Sequence, residues 1–116
     1  MKKIVFIITL VFLFVSFAQA ATLNLRATWT ANTETDMISY ELYRTDGART
    51  LVGTIPHPNT SYNFSANAPD NEDYTLTFVL VAVDTAGNKS GDSNTAPFLS
   101  NLKAPAVPGG LGISKP

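Results

Sequence analysis

An antiparallel all-β sandwich is the fold class that this 116-residue sequence predicts, and three observations predict it. Apolar and polar residues alternate with period two in several short runs; Gly, Pro, Asn and Asp turn signals separate those runs; and nothing after residue 20 shows helical periodicity. The clearest run is Thr75-Leu76-Thr77-Phe78-Val79-Leu80-Val81-Ala82-Val83-Asp84, followed by Thr85-Ala86-Gly87-Asn88. It reads as a central strand feeding a tight reversal.

Residues 1–20 are set apart from this domain. Lys2 and Lys3 precede an unbroken apolar run from Ile4 to Phe17, and Ala18-Gln19-Ala20 follows. That order is the pattern of a secretory signal peptide with a small-residue cleavage site, expected between Ala20 and Ala21. The run is shorter than the roughly 20 apolar residues needed to cross a bilayer, so removal is expected rather than anchoring. The expected location is secreted or periplasmic, with no membrane span after removal.

The elements follow in order. Leu23, Leu25, Ala27 and Trp29 alternate with Asn24, Arg26 and Thr28, which predicts a strand with one buried face and Trp29 in the core. Thr30 to Asp36 is polar loop. Ile38, Tyr40 and Leu42 alternate with Ser39, Glu41 and Tyr43 in a second strand, closed by the turn signal Asp46-Gly47. Leu51 to Ile55 is a short third strand, ended by Pro56-His57-Pro58, where two prolines remove backbone donors. Thr60 to Phe64 resumes the sheet with Tyr62 and Phe64 on one face, and Ala68 to Asp73 is an acidic loop. The long strand from about Tyr74 to Asp84 comes next, and the last strand lies around Thr95 to Leu99. One sandwich domain spans 21–102; residues 103–116, rich in Pro and Gly, form a tail or linker.

Composition excludes several chemistries. Removing the leader leaves six basic side chains against nine acidic ones, which suits neither nucleic acid nor an anionic membrane. The chain has no cysteine and one histidine, so it offers no disulfide framework, no lipidated cysteine, no thiolate or histidine metal site and no cofactor ligand set. His57, clamped between two prolines, is expected as an exposed loop residue rather than a catalytic base. Asp70, Asn71, Glu72 and Asp73 carry hard oxygen ligands but lack the alternation of a calcium loop, and read as a solvated acidic turn. No catalytic residue and no metal ligand is assigned, and the chain is expected not to be an enzyme.

Several positions from Leu23 to Leu99 together resemble the fibronectin type III family. Trp29 is similar to the tryptophan of that family's second strand, Tyr40 and Leu42 to the Tyr-x-Val of its third, and Phe78, Leu80 and Ala82 to the inward residues of its sixth. Asp84-Thr85-Ala86-Gly87-Asn88 resembles the turn after that strand in bacterial extracellular members. The resemblance implies an immunoglobulin-like sandwich used for spacing or docking. It departs from the family twice. Leu76 stands where a corner-pinning tyrosine is usual, with Tyr74 two residues earlier as its substitute, and no sequence after Ala20 remains for the family's first strand. Lys89-Ser90-Gly91-Asp92-Ser93 falls where some animal members carry Arg-Gly-Asp, but Ser90 breaks that motif and a flexible hairpin tip is expected.

The tail residues Ala104 to Ile113 resemble a proline-rich entry and first strand. Three readings stand: an interdomain linker, which is the simplest; a return onto the same domain, which Asn101 to Pro108 could span only to at most ~28 Å; and donation of Leu111 and Ile113 to the open edge of a neighbouring copy, head to tail. Tyr43, Arg44 and Arg49 form the predicted contact patch. The expected role is a non-enzymatic module for protein–protein contact or spacing at a bacterial cell envelope. A carbohydrate-binding module for polysaccharide, favoured by exposed coplanar aromatics, is the alternative, as is a subunit assembled by strand exchange.

Overall fold

The computed structural model describes residues 20–116. Six strands run in order: β1 (Ala20–Thr28), β2 (Met37–Arg44), β3 (Thr50–Pro56), β4 (Ser61–Pro69), β5 (Thr75–Asp84) and β6 (Ala96–Leu99). β1 and β4 pair as a two-stranded sheet, and β3, β2, β5 and β6 pair in that order as a four-stranded one. Every pairing is antiparallel. The expected signal peptide lies on residues outside the described range, except that Ala20 already pairs with Pro69 at the start of β1.

Alternation decides which side chains meet between the sheets. Tyr40 and Leu42 lie opposite Ala82 and Leu80 in register, so the even-numbered residues of β5 share the inner face. They join Ile55 from β3, Ala66 and Ala68 from β4, and Leu76 and Phe78 in one core. Phe64 of β4 meets Phe78 edge to face at 5.2 Å, which fastens one sheet to the other. The outer face of the small sheet carries a polar ladder between directly opposed residues: Thr22 with Asn67, Asn24 with Ser65, and Arg26 with Asn63.

The two flanks differ. On the β3–β4 side, a Cβ placed on Gly53 would lie 2.5 Å from the Tyr62 hydroxyl and 2.8 Å from the ring carbon that bears it. Only glycine at position 53 lets the Tyr62 ring reach from β4 across to β3 and seal the sandwich. Nothing comparable bridges β1 and β6, whose outer edges are both unpaired among the described residues.

Two poles organise the loops. β1 and β5 begin, and β2, β4 and β6 end, at the lower pole; the β4–β5 loop and the start of the tail lie there too. At the upper pole the hairpin after β5 is built by Asp84, whose carboxylate accepts from the Ala86 and Asn88 amides at 3.0 and 2.8 Å. Gly87 supplies the positive φ of 84° that the reversal requires. Hydrogen bonding from Asn88 holds the Asp84 carboxyl below its ordinary range.

Several expectations need correction. β4 continues to Pro69, five residues past the expected end at Phe64, because Ala66 and Ala68 extend the inward alternation and β1 pairs with them along its whole length. Trp29 sits just beyond the end of β1, half-buried and packed against the core from its margin, with its ring edge-on to Tyr40 at 5.3 Å. Tyr74 does pin a turn, but the one between β2 and β3 rather than the corner before it, while Leu76 is fully buried. The segment after the hairpin is bonded to β5 instead of being a free tip. The Ser90 and Ser93 amides donate to the carbonyls of Ala82 and Leu80. Their hydroxyls accept from the Ala82 and Leu80 amides at 2.8 and 2.9 Å, so serine side chains replace strand carbonyls where regular pairing lapses.

Candidate functional site

The free edge of β1 and the chain from Ser90 to Phe98 form the two lips of a groove of about 900 Å³ that opens between the sheets. Leu25 and Ala27 of β1, Trp29, Tyr40 of β2, and Leu80 and Ala82 of β5 line it. All but Tyr40 are only half-buried, although each belongs to the inner face. Val79, Val81 and Val83, on the outer face of the same strand, are 5%, 3% and 9% exposed. The inner face of β5 toward the upper pole is therefore covered less well than its outer face. The indole N–H of Trp29 is buried and has no acceptor among the described residues.

This arrangement suits an extended, partly apolar chain. An unpaired strand edge offers a row of backbone donors and acceptors, and the groove beside it takes every second side chain. The hydroxyls on its far lip are already engaged: Ser90 and Ser93 each accept from β5 and donate to a neighbouring carbonyl, of Gly91 and Asn94 respectively. The sequence did not single out Leu25, Ala27, Leu80 or Ala82 as groove walls, because a half-buried inner residue looks the same in sequence as a fully buried one.

The predicted patch is split by the structure. Tyr43 and Arg49 come together on the outer face of the large sheet, with the guanidinium 4.3 Å from the ring centroid. Arg49 forms a two-pronged pair with Asp92 at 2.8 and 2.9 Å. The Tyr43 hydroxyl donates to Glu41, which Lys89 also approaches at 3.0 Å. The Tyr43 hydrogen bond lowers the Glu41 pKa and raises that of Tyr43, and the Arg49 contact lowers that of Asp92. The Tyr43 ring is thus half-buried beneath a cation.

Arg44 belongs elsewhere. Alternation turns it to the inner face at the lower pole, where its Nε and Nη2 donate to Asp46 at 2.9 and 3.0 Å. Asp46 also accepts from the Tyr74 hydroxyl at 2.8 Å and the Thr77 amide at 3.2 Å. Four donors on a carboxylate that is 8% exposed hold its pKa down at about 2, with the Arg44 hydrogen bonds the largest cause. Asp46 is a tie between the β2–β3 turn and β5, which the turn signal Asp46-Gly47 did not reveal.

His57 is half-buried rather than exposed: its ring lies 5.9 Å from Tyr40 and Nε2 is 3.1 Å from the Asn32 carbonyl. In the acidic loop, Asp73 and Asn71 side-chain oxygens accept from the amides of Lys103 and Ala104, each at 3.2 Å, and hold the base of the tail. Beyond that, Leu111 and Ile113 are 89% and 95% exposed and belong to no strand among the described residues. No group of histidine and acidic side chains suited to a metal occurs among the described residues, and no helix there is long and apolar enough to cross a membrane.

No family model matches the chain, and no curated protein matches it. Among solved structures, the spore cortex lytic enzyme SleM of Clostridium perfringens is similar over 69% of this chain, with a TM-score of 0.51 and 20% identity. The match covers 26% of that protein, so this chain spans about a quarter of its length. At this identity the likeness shows the fold.

Proposed function

We propose that the chain is an exported, non-enzymatic, fibronectin type III-like module for protein–protein contact at a bacterial cell envelope, and that the contact is made at the open β1 flank. The observation that carries this reading is the unpaired edge of β1 beside a groove of about 900 Å³ whose walls are inner-face residues. Backbone donors and acceptors next to apolar half-buried side chains match an extended polypeptide better than a sugar, which needs exposed ring faces. The aromatic arrangement also weighs against a sugar. Tyr43 lies beneath Arg49, Trp29 is half-buried against Tyr40, and the stacked Tyr62 and Phe64 rings lie on the core face.

The test is capture from the native envelope with the exported chain as bait, run beside an Ala82→Arg variant that fills the groove. A polypeptide retained by the wild type and lost with Ala82→Arg, with both circular dichroism spectra alike, supports the proposal. Retention of the wild type on insoluble glycans, with no polypeptide captured, overturns it.

A further inference from the structure

The geometry points to a specific occupant for the groove: the C-terminal tail of a second copy of this chain, entering at the upper pole and pairing antiparallel with β1 through Gly109 to Ser114. This rests on the contact role proposed above and names its partner.

Four observations carry it. First, the tail has apolar side chains at the alternate positions Leu111 and Ile113, with Val107 in the same phase four residues before Leu111, and all three are at least 89% exposed in their own molecule. Period two is what a strand needs to set one face into the groove. Second, Gly109 to Ser114 is free of proline, so each of these residues retains a backbone donor for the β1 edge. Its glycines, Gly109 among them on the inward-facing side, add no bulk over the half-buried floor.

Third, direction excludes the same arrangement within one molecule. The tail leaves at the lower pole, where Asn71 and Asp73 hold Ala104 and Lys103. An antiparallel partner of β1 must begin at the upper pole. Reaching it on the same copy means rising along nine residues of β1, about 30 Å, before turning back, whereas Pro105 to Pro108 spans at most about 14 Å. On a neighbour whose upper pole abuts this lower pole, the tail enters in the required direction at once. Fourth, charge is complementary. Residues 21–102 hold nine acidic and four basic side chains, whereas the tail carries Lys103 and Lys115 and no acid. Such a contact joins unlike surfaces and repeats head to tail, so growth is open-ended unless the rotation closes a ring.

Trp29 is the chain's only tryptophan and lines the groove, so its emission reports occupancy. The experiment compares the full exported chain with its Leu111→Asp/Ile113→Asp variant by sedimentation and by Trp29 emission across a wide range of concentration. A synthetic peptide of residues 105–116 is added to the variant. Expected are wild-type species that grow past the dimer with a concentration-dependent blue shift, a variant that stays monomeric with an unchanged circular dichroism spectrum, and a blue shift of the variant on adding peptide. Three results overturn the inference: a wild type that stays monomeric while the peptide leaves Trp29 unaffected; association that persists in the variant; or a monomeric wild type whose Trp29 emission differs from the variant's at every concentration, which means that the tail closes its own groove. Any of these leaves the contact role standing if envelope capture still depends on Ala82.

Discussion

The two flanks of this sandwich solve the same problem differently. On the β3–β4 side a single side chain, Tyr62, lies over the bare backbone of Gly53, and Ile55 beside it is 3% exposed. On the β1–β6 side no strand or side chain among the described residues closes the edge, and Leu25, Ala27, Leu80 and Ala82 stay half-buried although they belong to the same inner faces. Burial in a two-sheet fold thus depends on how the edges are closed as much as on alternation. The open flank is where this fold has free energy left to gain from a partner, since each apolar side chain still wetted there contributes more when covered.

The largest difference expected between the flanks is in core truncations. Ile55→Ala removes a side chain that is almost wholly out of solvent and should cost about 2–5 kcal/mol, whereas Leu25→Ala, in a wall already open to water, should cost less than half as much. Urea unfolding of both variants checks this, and equal losses would mean that the groove is closed in solution. Gly53→Ala should come next. The added methyl cannot coexist with Tyr62 in place, so displacement of the ring is expected to cost about 1–3 kcal/mol and to make the closed flank resemble the open one. If Gly53→Ala is neutral, Tyr62 is not the seal.

Acid provides a smaller probe of the lower pole, which both flanks share. The Asp46 pKa is depressed to about 2 by Arg44, Tyr74 and Thr77. Its contribution is therefore fully present above the unfolded carboxylate value near 4 and is lost as pH falls toward 2. The loss should be on the order of 1–2 kcal/mol and absent in Asp46→Asn, which melting curves between pH 5 and pH 2 can read. The smallest effect belongs to the outer face. Arg49→Ala breaks an exposed pair with Asp92 and a cation–ring contact with Tyr43, and should leave the unfolding midpoint within error at physiological salt. A clear drop would make that cluster a structural element rather than surface.

Much of this architecture was legible in the sequence because the cues are local. Alternation located all six strands, and Asp84 with Gly87 located the hairpin. The end of β4 was missed because the acidic residues after Pro69 made Ala68 look like loop, when its short side chain is in fact 2% exposed in the core. The contact patch was half legible. Tyr43 and Arg49 meet across the outer face as the alternation of β2 suggests, but Arg44 is one residue along and so turns to the other side. The roles of Asp46, Ser90 and Ser93 were not legible, since each depends on a partner strand brought alongside by the fold rather than on neighbours in the chain. The groove itself had no local cue, because it depends on how far apart the fold leaves the edges of β1 and β6.

Amide hydrogen exchange along β1 tests the open flank most directly. In dilute solutions of residues 21–116, the β1 amides that point away from β4 should exchange quickly while those bonded to β4 are protected, and raising the concentration should protect the first set as well. Equal protection of both sets in dilute solution, or no change on concentration, would contradict the account of β1 as an acceptor edge for a second copy.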